Sequence, residues 1–201
     1  MRLVFVGESD LDHMGGAMTS AIFSDGRPMS EEEFLAIGET PERIELFDGS
    51  LHVTPAPTFR HQRIAGRLFG ILDRATENSG LEAHQAINLR LQPGRVPIPD
   101  LAVTTELDPD GSIADAAAVL LVCEITSPSN AATDRVLKMH YYAAAGVPWY
   151  LLIEQDSCAL ALHHLVDGTY VLDSLVPPGK VLELVEPVVV TIDPEELLPR
   201  R

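Results

Sequence analysis

Cysteine is scarce: Cys123 and Cys158 are the only two in 201 residues, with no CxxC pair and no zinc-ligand spacing. That excludes a disulfide scaffold and a thiolate zinc site. Cys123 lies in an apolar run, so two reduced, partly buried thiols are expected. Long hydrophobic runs are missing too, and nothing approaches the ~18 consecutive apolar residues of a membrane span. The opening stretch MRLVFVGESDLD is broken at once by acidic residues. It lacks the apolar core and small-residue cleavage site of a signal peptide, which leads to the expectation of a cytoplasmic protein. Positive charge is in short supply: 14 basic residues stand against 30 acidic ones, a net charge of −16. A protein that holds duplex nucleic acid by its backbone ordinarily presents a basic surface. Most of this surface would repel a polyanion, so such contact needs locally concentrated basic residues or metal ions. What remains is ordinary for one globular domain: 46% hydrophobic and 22% charged residues, in a chain long enough to bury its own core.

Residues 1–28 read as an N-terminal appendage without a sustained period, and residues 29–201 as one compact domain. Ser30 and Glu33 form an S-x-x-E capping box that opens a short helix ending at Gly38. RIELF and SLHVT alternate, and Asp48-Gly49 between them is a hairpin signal. A helix is expected over 58–78, with Ile64, Leu68, Ile71 and Leu72 as its apolar stripe and Arg60, Arg63, Arg67 and Arg74 on a narrow arc beside it. LEAHQAINLRL and DLAVTTE read as strands, and AAAVLLVCEITS as a central strand covered on both faces. A helix from Asn130 or Thr133 to about Ala145 follows, stopped by Gly146 and Pro148. WYLLIEQ, CALALHHLV and TYVLDSLV read as three further strands, and DPEELL as a closing helical turn. The alternation of strands and helices indicates an α/β protein with a mixed sheet.

Three carboxylates fall at or near strand ends: Glu45, Asp100 and Glu124. An unpaired carboxylate in a run as apolar as VLLVCEI costs several kcal/mol to bury, so Glu124 must reach solvent or be held by a cation. Pro99 sets the entry of Asp100 into its strand. If the two strands are neighbours, Asp100 and Glu124 converge, and such a pair traps a proton or binds a hard divalent ion. Lys138, on the following helix, is the nearest basic residue expected to be held by structure.

The series E-x-x-D-G, P-D-x-A-V, E-x-x-S-P-S, D-x-x-x-K and G-V-P, carried by RIELFDGSLHVTPAPTFRHQRIAGRL, PDLAV and LLVCEITSPSNAATDRVLKMHYYAAAGVPWYLLIE, resembles the Uma-two family of restriction endonucleases, within the PD-(D/E)XK nuclease superfamily. Each piece is weak alone; together they cover roughly residues 29–198. The resemblance implies a restriction-endonuclease-like core with flanking helices and divalent-metal-dependent hydrolysis of phosphodiester bonds, with DNA as the expected substrate. It implies Asp100 and Glu124 as ligands of Mg²⁺ or Mn²⁺, with the backbone carbonyl of Ile125 as a third. The lysine slot two residues beyond Glu124 holds Thr126, and the lysine is expected to have moved to Lys138, there to orient water or offset phosphate charge. Glu45 matches the acidic residue supplied by an early element. Trp149-Tyr150 reverses the more usual order of that pair.

Each assignment has a plainer counterpart. Lys138 could pair with Asp134 one helical turn away, and Glu45 could be a solvated hairpin glutamate. His61, on the apolar side of its helix, is expected to be a core histidine ahead of a residue beside the metal, and Tyr141 and Tyr142 to pack in preference to stacking on bases. His163 and His164 point to opposite faces of a strand and cannot share an ion. The arginine arc either contacts phosphates or offsets an acidic surface. The alternative function is a nuclease-like fold used as a non-catalytic nucleic-acid-binding or regulatory subunit. The hairpin of WYLLIEQ and CALALHHLV is long and apolar and leaves an exposed sheet edge unless something covers it, so a homodimer is expected.

Overall fold

A computed structural model describes residues 3–5, 19–23, 27–38, 40, 42–54, 56–126 and 132–198. In chain order the elements are β1 (Leu3–Phe5), β2 (Thr19–Phe23), α1 (Glu31–Leu35), β3 (Arg43–Phe47), β4 (Ser50–Thr54), α2 (Phe59–Thr76), β5 (Leu81–Gln85), β6 (Leu89–Arg90), β7 (Arg95–Val96) and β8 (Leu101–Thr105). They continue with β9 (Ala114–Asp115), β10 (Val119–Thr126), α3 (Ala132–Ala144), β11 (Trp149–Glu154), β12 (Leu160–Val166), β13 (Thr169–Val176), β14 (Leu182–Leu184), β15 (Val190–Ile192) and α4 (Pro194–Leu197). The result is a mixed α+β architecture. A six-stranded sheet runs β13-β12-β11-β10-β8-β5, and a five-stranded antiparallel sheet runs β1-β2-β4-β3-β7. Two strands from the segment read as an appendage therefore extend the smaller sheet, with β2 pairing to β4.

The larger sheet is mixed because β10 pairs parallel with β11 and antiparallel with β8. α3 makes the crossover that a parallel pair requires. Alternate residues of its strands serve different helices. Leu101, Val103, Leu121, Cys123, Leu151 and Ile153 pack with Ile64, Leu68 and Leu72 of α2, and Ala102, Val122 and Tyr150 pack with Tyr142. β10 is thus covered on both faces, which is why its sequence is nearly continuous in apolar residues. Each fully buried leucine or isoleucine there contributes about 1.5–3 kcal/mol.

The smaller sheet closes its own core around Met29, Phe34, Leu46, Leu51 and Val96. Its hairpin turns at Asp48 and Gly49, both at positive φ, as a type I′ turn needs. Gly49 also lies against Pro28, where a Cβ would sit 2.3 Å from the proline Cβ. The capping box on α1 is complete, with Ser30 Oγ accepting from Glu33 N and Ser30 N donating to Glu33.

Two expectations are corrected. LEAHQAINLRL is not one strand: Ala86 has φ 52° and ends β5, its N–H donates to the Asp100 carbonyl, and β6 pairs with β9 instead. The β11–β12 pair is not an edge, since β13 covers β12. β13 is itself the edge and exposes Val171, Leu172 and Leu175.

Candidate active site

The N-terminal end of β8, the C-terminal end of β10, the smaller sheet's β3 and the inner face of α3 meet at one place. Residues i and i+2 of a strand share a face, so Arg43 and Glu45 point together, opposite to Leu46 and its core. Asp100 stands just before β8. Its Oδ2 accepts from Ile125 N of β10 at 2.8 Å, a bond that ties the two strand ends together. The same oxygen lies 3.1 Å from His61 Nε2 of α2, and Oδ1 accepts from Arg43 Nη1 at 2.7 Å. In an extended strand the N–H and C=O of one residue point to one side. The Ile125 carbonyl therefore faces the Asp100 edge of β10, while the Thr126 carbonyl turns to the other side and accepts from Gln155 N.

Glu124 lies one residue earlier, on the α3 face. Lys138 and Tyr142 are i and i+4 on α3, so both reach it. The Tyr142 hydroxyl donates to Glu124 Oε1 at 2.9 Å, and Lys138 Nζ stands 3.7 Å from the same oxygen. Lys138 Nζ also donates to Glu45 Oε1 at 2.9 Å, which in turn accepts from Ile98 N at 2.7 Å. Glu45, Asp100, Glu124 and Lys138 are all buried. The four side chains singled out from the sequence thus come together, along with the backbone of Ile125.

Electrostatics separates the carboxylates. Burial would raise the pKa of Asp100, but the His61 hydrogen bond and the Arg43 charge override it and hold the group well below the usual carboxylate range. Burial dominates at Glu124 and lifts it to about 7, even with Lys138 pulling the other way. Arg43 is stabilised in its charged form: burial opposes this, but the charges of Asp100, Glu45 and Glu124 outweigh it. Burial and the Glu124 charge keep Tyr142 a neutral donor. Cys123, also raised by burial, is a packed thiol.

Among the described residues no group of three His, Cys, Asp or Glu has metal-holding geometry. The carboxylates are already directed at cations: Asp100 at Arg43, Glu45 and Glu124 at Lys138. Glu45 Oε2, Arg43 Nε and Arg43 Nη2 are buried without a hydrogen-bond partner among the described residues.

Arg43 was missed as a site residue, and the site role of His61 was ranked second to a core one. The signal for Arg43 was its i, i+2 relation to Glu45. His61 does lie on the sheet side of its helix, but it meets Asp100 there instead of the apolar core. Tyr142 packs, as expected, and also serves Glu124. Tyr141 stacks on Phe47, with ring centroids 5.6 Å apart, beneath Arg95. Of the arginine arc, Arg67 donates to the carbonyls of Glu196 and Leu198 and so docks α4. Arg60, Arg63 and Arg74 are exposed. The S-P-S stretch after Glu124 and the Asp134 side chain lie outside the described residues.

A family model described as "Putative restriction endonuclease", Uma2, matches residues 31–194. The chain belongs to the Uma2 family. A crystal structure titled as that of "a putative nuclease belonging to DUF820" from Anabaena variabilis ATCC 29413 superposes with a TM-score of 0.68. The match covers 85% of this chain and 97% of that one at 18% sequence identity, and it therefore supports the fold alone. No curated protein matches this Uma2 chain. Among the described residues no helix is long and apolar enough to cross a membrane.

Proposed function

We propose that this Uma2 protein is a divalent-metal-dependent endonuclease of the PD-(D/E)XK kind that hydrolyses phosphodiester bonds in DNA. The observation that carries this reading is Lys138. The usual lysine slot holds Thr126, yet Lys138 Nζ lies 3.7 Å from Glu124 and 2.9 Å from Glu45, so α3 supplies a cation to the pair of strand-end carboxylates.

The donor types suit a hard divalent cation. Asp100, Glu124 and the Ile125 carbonyl all offer oxygen, and Glu124 is a carboxylate whose pKa is raised by burial. Asp100, Glu124 and the Ile125 carbonyl would hold Mg²⁺ or Mn²⁺, which would supply Lewis-acid charge and lower the pKa of a bound water. The chain's own groups do the rest. Lys138 offers N–H donors to the phosphate oxygens, where negative charge grows in the transition state. Glu45 holds Lys138 in place, Tyr142 fixes the rotamer of Glu124, and Arg43 with His61 keeps Asp100 ionised and oriented.

Incubating DNA with Mg²⁺ or Mn²⁺ tests this: the wild type cleaves and Asp100→Ala does not. Equal cleavage by both overturns it, and binding without cleavage by either leaves the non-catalytic binding subunit as the function. We also propose a homodimer joined through the β13 edge, with Val171, Leu172 and Leu175 covered. Light scattering that gives 21.8 kDa at every concentration would contradict that.

A further inference from the structure

Helix α2 buries Ile64, Ala65, Leu68 and Leu72, and its first turn presents Phe59, Arg60, Gln62 and Arg63 to solvent. Phe59 is 90% exposed. The other large hydrophobics left exposed among the described residues are all valines and leucines. Single exposed aliphatic side chains are commonplace, but a bare aromatic ring two residues from a group bound to Asp100 is not.

The charge around that ring is also out of keeping with the molecule. α1 opens on Glu31, Glu32 and Glu33, and α4 carries Glu195 and Glu196 in its first turn, whereas α2 has no acidic residue there. Acidic side chains ordinarily offset the partial positive charge of a helix N-terminus; Arg60 and Arg63 add to it instead. In a chain with 30 acidic residues, none occurs between Asp48 and Asp73. Thr58 Oγ1 accepts from His61 N and Arg60 Nη1 donates to the Asp156 carbonyl at 3.4 Å, yet neither Arg60 nor Arg63 has a carboxylate partner among the described residues. A local rule broken in this way points to something outside the chain. This positive, aromatic turn adjoins the Asp100 cluster through His61, whose Nε2 is 3.1 Å from Asp100 Oδ2. In the same cluster Arg43 Nε and Nη2 are buried and have no acceptor among the described residues. The basic turn and the two open guanidinium donors can each take a hydrogen-bond acceptor such as a phosphate oxygen.

We infer that Phe59 stacks on an unpaired base of a polynucleotide whose flanking phosphates meet Arg60 and Arg63; this rests on the nuclease reading above. A duplex hides its base faces in the stack, and exposing one costs a few kcal/mol. A single strand, a frayed end or a bulge offers the face directly, and every base has one. The substrate class is therefore nucleic acid with unpaired bases near the scissile phosphate.

The test measures the affinity of the full chain for a single-stranded oligodeoxythymidine and for a blunt duplex, both in Ca²⁺. Phe59→Ala should weaken single-strand binding by about 5- to 100-fold. Phe59→Tyr should keep the affinity, and Phe59→Leu, which retains bulk without the ring, should fall with alanine. Phe59→Trp should lose fluorescence on addition of the oligonucleotide, relative to a wild type whose sole tryptophan is Trp149. Replacing Arg60 and Arg63 by alanine together should lower the slope of log affinity against log salt by about 1.4 for the single strand. In turnover, Phe59→Ala should raise KM with kcat held within about twofold, the mark of lost uniform binding. Unchanged affinity in Phe59→Ala, leucine as good as phenylalanine, no quenching, or duplex binding weakened as much as single-strand binding would each overturn the inference. The two readings fail separately. Hydrolysis that ignores Asp100→Ala sinks the nuclease account while the stacking readouts remain decisive, and Asp100-dependent hydrolysis with an indifferent Phe59→Ala sinks the stacking alone.

Discussion

The β8 end of the cluster and the β10 end carry carboxylates of nearly equal burial, Asp100 at 7% exposure and Glu124 at 8%, and the surroundings drive them in opposite directions. Asp100 receives a guanidinium, an imidazole and a backbone N–H, so it stays ionised far into acid. Glu124 receives one hydroxyl and shares Lys138 with Glu45, so burial prevails and lifts its pKa to about 7. Burial costs both groups the same kind of desolvation; the number and charge of the donors decides the outcome. The Asp100 end is saturated with hydrogen-bond donors, and the Glu124 end has fewer of them.

The largest expected effect comes from emptying the Glu124 end. Lys138→Met strands Glu45, which is fully buried, and breaking a buried pair by removing one partner costs about 3–5 kcal/mol. Chemical denaturation should register that loss, and adding Glu45→Gln should recover most of it. At the saturated end the loss should be smaller. Arg43→Met leaves Asp100 its His61 and Ile125 partners, so about 1–3 kcal/mol is expected. Asp100 has a lowered pKa, so its contribution is complete above its unfolded value and is lost as pH falls through the folded one. In Arg43→Met that acid-side loss should begin at a higher pH, as melting scans in acid would record.

Glu124 has the opposite sign. A carboxylate raised from 4.5 to about 7 stabilises the fold fully below the lower value and loses that contribution as pH rises through the upper one. In chelator the melting temperature should therefore decline between about pH 4.5 and pH 7, and Glu124→Gln should flatten the decline. The smallest effect is the metal shift. Mn²⁺ or Mg²⁺ should raise the melting temperature by binding the native state, more at pH 8 than at pH 6 because the ion competes with the Glu124 proton. Asp100→Asn should remove the shift, and an identical shift in that variant would place the ion elsewhere.

The Glu124 end was the more legible half of the site. A carboxylate in VLLVCEI is conspicuous because burial makes it costly, and the D-x-x-x-K spacing led to Lys138. The Asp100 end was legible only as Asp100 itself. Its partners come from β3 and α2, far away in sequence, and helical angle gave the side of α2 on which His61 lies without giving what faces it. Elements with strong local signals, such as the Ser30 capping box, the Asp48-Gly49 hairpin and the α2 stripe, matched the structure closely. The break after Gln85 was not legible because it depends on the positive φ of Ala86 and its bond to the Asp100 carbonyl, both tertiary effects.

The claim that joins these observations is that Lys138 acts on the phosphodiester from α3. The most direct test is the DNA hydrolysis rate of the Glu45→Gln, Lys138→Met double variant in Mg²⁺, once its melting temperature and metal shift match those of the wild type. Loss of one such donor should slow hydrolysis by roughly 10²–10³-fold. A double variant that is folded, binds metal and cleaves at the wild-type rate would contradict the account.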